Sequence, residues 1–134
     1  MADVIRSVPL FSECSRKELS LLAGIAEERD VAAGESIVRQ GETGIGLEIV
    51  LEGDVRVEID GETRRHLGPG AFFGEIALLD GGPRSATVIA ETEVRLLAVP
   101  AWSFNATIKS EPSIAVTMLR ELARRLRDRP ASDD

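Results

Sequence analysis

Apolar residues recur along the chain with a helical period, then a shorter one, then a helical one again. In the first part Leu19, Leu22, Ala23 and Ala26 repeat at three- and four-residue intervals and predict one core-facing helix stripe. Pro9 breaks this stretch early. Ser15 followed by Glu18 forms an S-x-x-E capping box, so the main helix is expected to begin after Ser15. From Asp30 the spacing changes to short β-branched or alternating runs at 36–39, 46–52, 54–59, 64–67, 85–90 and 93–99. Glycines punctuate them, 11 of the 12 lying between Gly34 and Gly82, and Asp60-Gly61 is a strong hairpin signal. Val55, Val57 and Ile59 fall on one face of their strand, with Arg56 and Glu58 on the other. Many short strands with regular turns predict a sandwich or barrel of jelly-roll type.

After Pro100 the helical period returns. Residues 101–109 predict a short helix with Trp102 and Phe104. Pro112 suits the first turn of a second helix that runs to about Arg129, with Ala115, Leu119, Leu122 and Leu126 on one stripe. Pro130 and the acidic Ser132-Asp133-Asp134 end it. The expected organisation is one mainly β domain over 1–134. It comprises an N-terminal helical segment (1–28), a β-barrel (29–100) and C-terminal helices (101–129).

Composition narrows the function classes. A chain of 134 residues with 43% hydrophobic and 29% charged residues can bury a core. Its net charge of −7 argues against general nucleic-acid binding, which rests on cations facing phosphates. One small anionic ligand is not excluded, because a single local arginine decides that. Cys14 is the only cysteine, so no intramolecular disulfide can form and a reducing compartment fits. No apolar run approaches the ~18 residues of a membrane span, and no leader pattern opens the chain, so a soluble, cytoplasmic protein is expected. His66 is the only histidine, which rules out a multi-histidine metal site within one chain, and no Ser/His/Asp set or Walker-type loop is present. No enzyme is expected, and no cofactor.

The chemistry concentrates in residues 72–88, FFGEIALLDGGPRSATV. Gly74 lets the backbone turn after an apolar strand, and residues 75–79 suffice for a short helix. The first amides of such a helix lack intrahelical partners and carry partial positive charge, so they attract an anion. Arg84 can bring a planar, permanently charged fork to the same anion. Glu75 would repel phosphate but suits a neutral hydroxyl beside it, such as a ribose 2′-OH. An anion with a neighbouring hydroxyl describes a sugar phosphate or nucleotide.

F-G-E-I-A-L-L, a short loop and P-R-S-A-T-V closely resemble the phosphate-binding cassette of the cyclic nucleotide-binding domain. That family includes the catabolite activator protein and the regulatory subunits of cyclic AMP-dependent kinase. The resemblance runs from Pro9-Leu10-Phe11 to the C-terminal helix. It implies a jelly-roll barrel (a double-stranded β-helix) with a C-terminal lid helix, and cyclic AMP as ligand with cyclic GMP as the alternative. Arg84 would then hold the cyclic phosphate and Glu75 the ribose. Gly74 and the amides of Ile76 and Ala77 would complete the cradle, and the Ser85 hydroxyl would donate to the phosphate. Serine at 85 resembles the catabolite activator protein, which favours cyclic AMP. Thr87 reads as a plain strand residue, and Ile114, Met118 and Leu122 read individually as core rather than as a base cap. The resemblance also implies closure of the C-terminal helix on binding and a separate effector protein, with a homodimer through that helix open. The competing reading is a nucleotide-independent interaction module with the same fold. One departure stands out. The loop is Gly41-Glu42-Thr43-Gly44-Ile45-Gly46, without the family's aspartate at Ile45, and Glu48 stands where an aromatic is expected. Glu48 faces either solvent or the ligand side of the barrel, and in the pocket its charge would weaken anion binding.

Overall fold

The computed structural model describes residues 1–43 and 46–128, in two compact units. The calls on Gly44, Ile45, Arg129, Pro130 and the acidic C-terminus lie outside the described residues. One unit is Met1–Gly24 with the chain from Asn105 onward, and the other is Ile25–Phe104.

The first unit is helical: α1 (Ala2–Arg6), a 3-10 turn (Pro9–Phe11), α2 (Arg16–Ile25), most of α4 (Ala101–Ser110) and α5 (Ser113–Arg127). The capping box forms as its sequence implies. Ser15 Oγ accepts from the Glu18 amide at 3.1 Å, and Glu18 Oε1 accepts from the Ser15 amide at 2.9 Å. Leu19 and Leu22 are buried, and Ala23 is half-buried. Cys14 is buried, and burial pushes its thiol up to about 11, so it is an inert packing residue. On α5 the buried positions are Ile114, Met118 and Glu121. The leucine stripe read from sequence is thus displaced, because Leu119 and Leu126 are exposed. The acid in this buried row is held by basic neighbours one turn on: Arg124 and Arg125 both pair with Glu121.

The second unit contains β1 (Glu27–Val31), β2 (Ser36–Val38), β3 (Gly46–Glu52), β4 (Val55–Ile59), β5 (Glu62–Leu67), β6 (Phe72–Phe73), α3 (Glu75–Asp80), β7 (Thr87–Ala90) and β8 (Val94–Pro100). Its strands form two antiparallel sheets of four, ordered β1-β8-β3-β6 and β2-β7-β4-β5, in the jelly-roll arrangement. The Asp60-Gly61 signal becomes a two-residue hairpin between β4 and β5. Both residues have positive φ (54° and 80°), as a type I′ turn requires. Inward-facing side chains from both sheets share one core of Val31, Val50, Val55, Val57, Val88, Ala90, Val94 and Leu96. β1 starts at Glu27, ahead of the period change at Asp30. Its first four residues are charged and exposed, and only Val31 is buried. Pairing with β8, not local preference, makes this segment a strand.

The capping box yields a direct expectation. Ser15→Ala should lower stability by about 1 kcal/mol in urea unfolding with an unchanged m-value. A loss below ~0.3 kcal/mol would show that Glu18 alone supports this helix start.

Candidate functional site

Residues 72–88 form strand, turn, helix, loop and strand in the order the sequence implies. Gly74 caps α3 with φ 91°, a conformation that L side chains rarely adopt. It also leaves no room for one. A Cβ built on Gly74 would lie 1.9 Å from Arg84 Nη1 and 2.5 Å from the Gly46 carbonyl oxygen. Glycine here lets the guanidinium pass under the start of the helix. The first α3 bond runs from the Leu78 amide to the Gly74 carbonyl at 2.9 Å, so the Ile76 and Ala77 amides lie ahead of it.

Arg84 is held at both ends by one stretch of chain. Its amide donates to the Glu42 carbonyl and its carbonyl accepts from the Gly41 amide, each at 2.8 Å. At the far end, Nη2 donates to the Gly46 carbonyl (2.5 Å) and to Glu48 Oε2 (2.9 Å). Both charged side chains are almost completely buried, at 5% and 2% exposure. Nε and Nη1 of the same guanidinium are buried and take no hydrogen-bond partner among the described residues. A buried donor without a partner costs roughly 1–3 kcal/mol, more when charged, so this edge is primed for an anionic acceptor.

Arg84 and most of the cassette line a cavity of about 490 Å³, within the ~300–1,000 Å³ usual for small-molecule sites. All six residues singled out from sequence, Gly74, Glu75, Ile76, Ala77, Arg84 and Ser85, border it. They meet it differently. Arg84 and Ala77 are buried, Glu75 is half-buried, and Ser85 and Ile76 are exposed. Val38, Val57, Leu67, Phe72, Phe73 and Val88 supply apolar wall suited to a flat ring, and Arg65 adds a second cation. Thr87 is a strand residue, its hydroxyl accepting from the Gln40 amide at 2.9 Å. Asp80 does not pair with Arg84; it accepts from the Gly82 amide at 2.8 Å, closing its own loop.

Glu48 is the residue that sequence reasoning left undecided. On β3, between inward Val50 and the Gly46 bend, it turns inward and serves as Arg84's counterion. Its register partners are Phe73 and Ala98, neither of which offers it a polar group. Burial pushes its carboxyl up to about 7, against the opposing pull of Arg84 and then Arg29. The available signal was its place in the alternation of Leu47-Glu48-Ile49-Val50, beside Val50 on the core face.

Because this pKa lies above the ordinary 4.5, the native state binds the extra proton between about pH 4.5 and 7. The associated stability is complete below that window and is lost as pH rises through about 7. Arg84→Ala removes the cation and extends the loss upward in pH. Urea unfolding should show Arg84→Ala costing on the order of 3–5 kcal/mol at pH 8 and much less at pH 5, where Glu48 is protonated in both proteins. Equal costs at the two pH values would contradict a buried, paired Glu48.

Residues 28–111 match the family model described as the cyclic nucleotide-binding domain. The chain is 42% identical over 113 residues to a cyclic nucleotide-gated potassium channel of Mesorhizobium japonicum, covering 84% of this chain and 31% of the channel. It is 36% identical over 129 residues to the cyclic AMP receptor protein of Thermus thermophilus, covering 92% and 60%. Among solved structures it is similar to the N-terminal domain of a transcriptional regulator from Streptomyces coelicolor, with a TM-score of 0.82, 36% identity and coverage of 95% and 92%. The chain thus spans about a third of the channel's length and 60% of the receptor's.

Proposed function

The chain belongs to the cyclic nucleotide-binding domain family, whose members regulate rather than catalyse, and on that premise we propose that it is a sensor module for cyclic AMP. The observation that carries this reading is the Arg84 guanidinium. Arg84 lines the cavity; one of its nitrogens is anchored by protein groups, while the other two are buried without partners among the described residues. In this reading the cyclic phosphate takes the Nε and Nη1 edge, with the Ile76 and Ala77 amides and the Ser85 hydroxyl beside it. Glu75 accepts from the ribose 2′-OH, and Gly74 keeps the approach open. Ser85 favours cyclic AMP over cyclic GMP. Binding is signalled through the C-terminal helix to an effector protein, and the extent of that response is limited by the ligand's preference for the signalling state. A cytoplasmic setting belongs to the same reading; no helix among the described residues is long and apolar enough to cross a membrane.

Titration calorimetry with cyclic AMP and then cyclic GMP tests this directly. Cyclic AMP should bind at micromolar or tighter affinity and more tightly than cyclic GMP. Arg84→Ala should weaken it by ~2–5 kcal/mol, roughly tens- to thousands-fold. No heat with either nucleotide, from folded and ligand-free protein, would sink the sensor reading and favour the nucleotide-independent module.

A second reading concerns assembly. Val116, Leu119 and Leu126 are exposed on α5 at 45%, 63% and 68%, spaced along one side of the helix. We propose that this stripe is the seam of a homodimer. Sedimentation should show a dimer at tens of micromolar, converted to monomer by Leu119→Glu; an unchanged species would remove the seam.

A further inference from the structure

Arg84 already has a counterion before any phosphate reaches it. Glu48 holds Nη2 from inside the barrel, so a nucleotide phosphate on the Nε and Nη1 edge would share one guanidinium with a buried carboxylate. The surroundings do not relieve this crowding. From the cassette, Arg84, Glu75 and Asp80 line the main cavity, and from β5 Arg65 does. From β1, Glu27 and Arg29 border a small cleft on Glu48 with Gly46 and Ala98. From the segment after β2, Arg39 and Glu42 border another small cavity with Glu48 and Arg84. β6 contributes only Phe72 and Phe73, and β8 contributes Ala98 opposite Glu48. Five carboxylates (Glu27, Glu42, Glu48, Glu75 and Asp80) thus stand against four guanidinium groups (Arg29, Arg39, Arg65 and Arg84), before a phosphate adds one more negative charge. Glu27, Arg29, Arg39 and Glu42 are exposed and screened by water; Glu48 is not.

We propose that anion binding at Arg84 and proton binding at Glu48 are coupled, so that the site takes its cyclic nucleotide together with one proton from solvent, which comes to rest on the Glu48 carboxylate. This rests on the reading of Arg84 as the phosphate-binding residue. The chemistry follows from like charges sharing one cation: each disfavours ionisation of the other. The cyclic phosphodiester is a strong acid and does not titrate near neutrality, so the proton goes to the carboxylate. Burial has already brought Glu48 to about 7, and an anion beside Arg84 moves it higher, which places the proton uptake at and just above neutral pH. By linkage, affinity is highest while free Glu48 is protonated and falls as pH rises past 7, by up to about tenfold per unit until the bound form also ionises. The same carboxylate makes the site hostile to a second phosphate charge, so a phosphomonoester dianion is disfavoured relative to the cyclic diester. Glu48 is therefore a positioning and specificity residue that acts on the ligand through Arg84.

The test is calorimetry of cyclic AMP binding to the full chain at pH 6.5, 7.75 and 8.5, each in two buffers of different ionisation enthalpy (MOPS and Tris). The wild type should take up more than half a proton at pH 7.75 and bind roughly tenfold more weakly at pH 8.5 than at 6.5. Glu48→Gln, which keeps a hydrogen-bonding group but cannot ionise, should take up none, bind with the same affinity within about twofold at all three pH values, and exceed the wild type at pH 8.5. His66→Gln controls for the one histidine. His66 lies on β5, bonded to Glu91 and lining a separate cleft, so its loss should leave the proton count unchanged. Binding with no proton uptake by the wild type overturns the coupling alone, as does a pH dependence that survives in Glu48→Gln. The proton count needs no variant, so it decides the matter even where Glu48→Gln does not fold. Absence of binding by the wild type at every pH removes the nucleotide reading, and this inference with it.

Discussion

A guanidinium buried against β3 is the constraint around which this molecule is arranged. Removing such a charge from water costs several kcal/mol, and only close charge and well-placed acceptors offset it. Glu48 and the Gly46 carbonyl provide both, from positions two residues apart on one strand. Arg84's own backbone is stitched to Gly41 and Glu42, so these two residues, Gly46, Glu48 and the cassette fix each other. Two glycines in this region are spatial requirements of that arrangement. Gly74 makes way for Arg84, and a Cβ on Gly46 would fall 2.2 Å from the Val99 carbonyl oxygen, in the β3–β8 pairing.

The pair is chemically asymmetric. A guanidinium keeps its proton and presents a planar fork, so one edge can be spent on protein while the other stays available. A lysine in the same place would offer a single point charge and no second edge. The carboxylate is the member that can change state, and it sits where its state alters the field at the guanidinium's unpartnered edge. In this sense the departure at position 48 does not simply weaken the site. It replaces an aromatic wall by a group whose charge answers to its neighbours.

Much of this was legible in the sequence, for physical reasons that differ by region. The cassette was readable because its turn chemistry is local: glycine before a short helix, then Gly-Gly-Pro before a strand. β4 and the hairpin after it were readable because period-2 alternation and Asp-Gly are also local signals. β1 was not, because Glu27-Glu28-Arg29-Asp30 has neither alternation nor β-branching and becomes a strand through β8. The buried face of α5 was misjudged because leucine outweighed geometry: Leu119 and Leu126 are exposed, while Glu121 is buried and held by arginines. The Arg84–Glu48 pair spans 36 positions of chain, and no window of sequence contains it.

The charged edges of the two sheets carry a consequence for the protein in concentrated solution. β1 and β5 are outermost strands, and each leaves a row of backbone donors and acceptors that a second chain could extend. β1 presents Glu27, Glu28, Arg29 and Asp30 along that row, and β5 presents Glu62, Arg64, Arg65 and His66. A foreign strand adding to either edge would strip water from four ionisable side chains while gaining little apolar contact. The residues that made β1 hard to recognise as a strand are therefore the ones that guard its edge against amyloid-like growth.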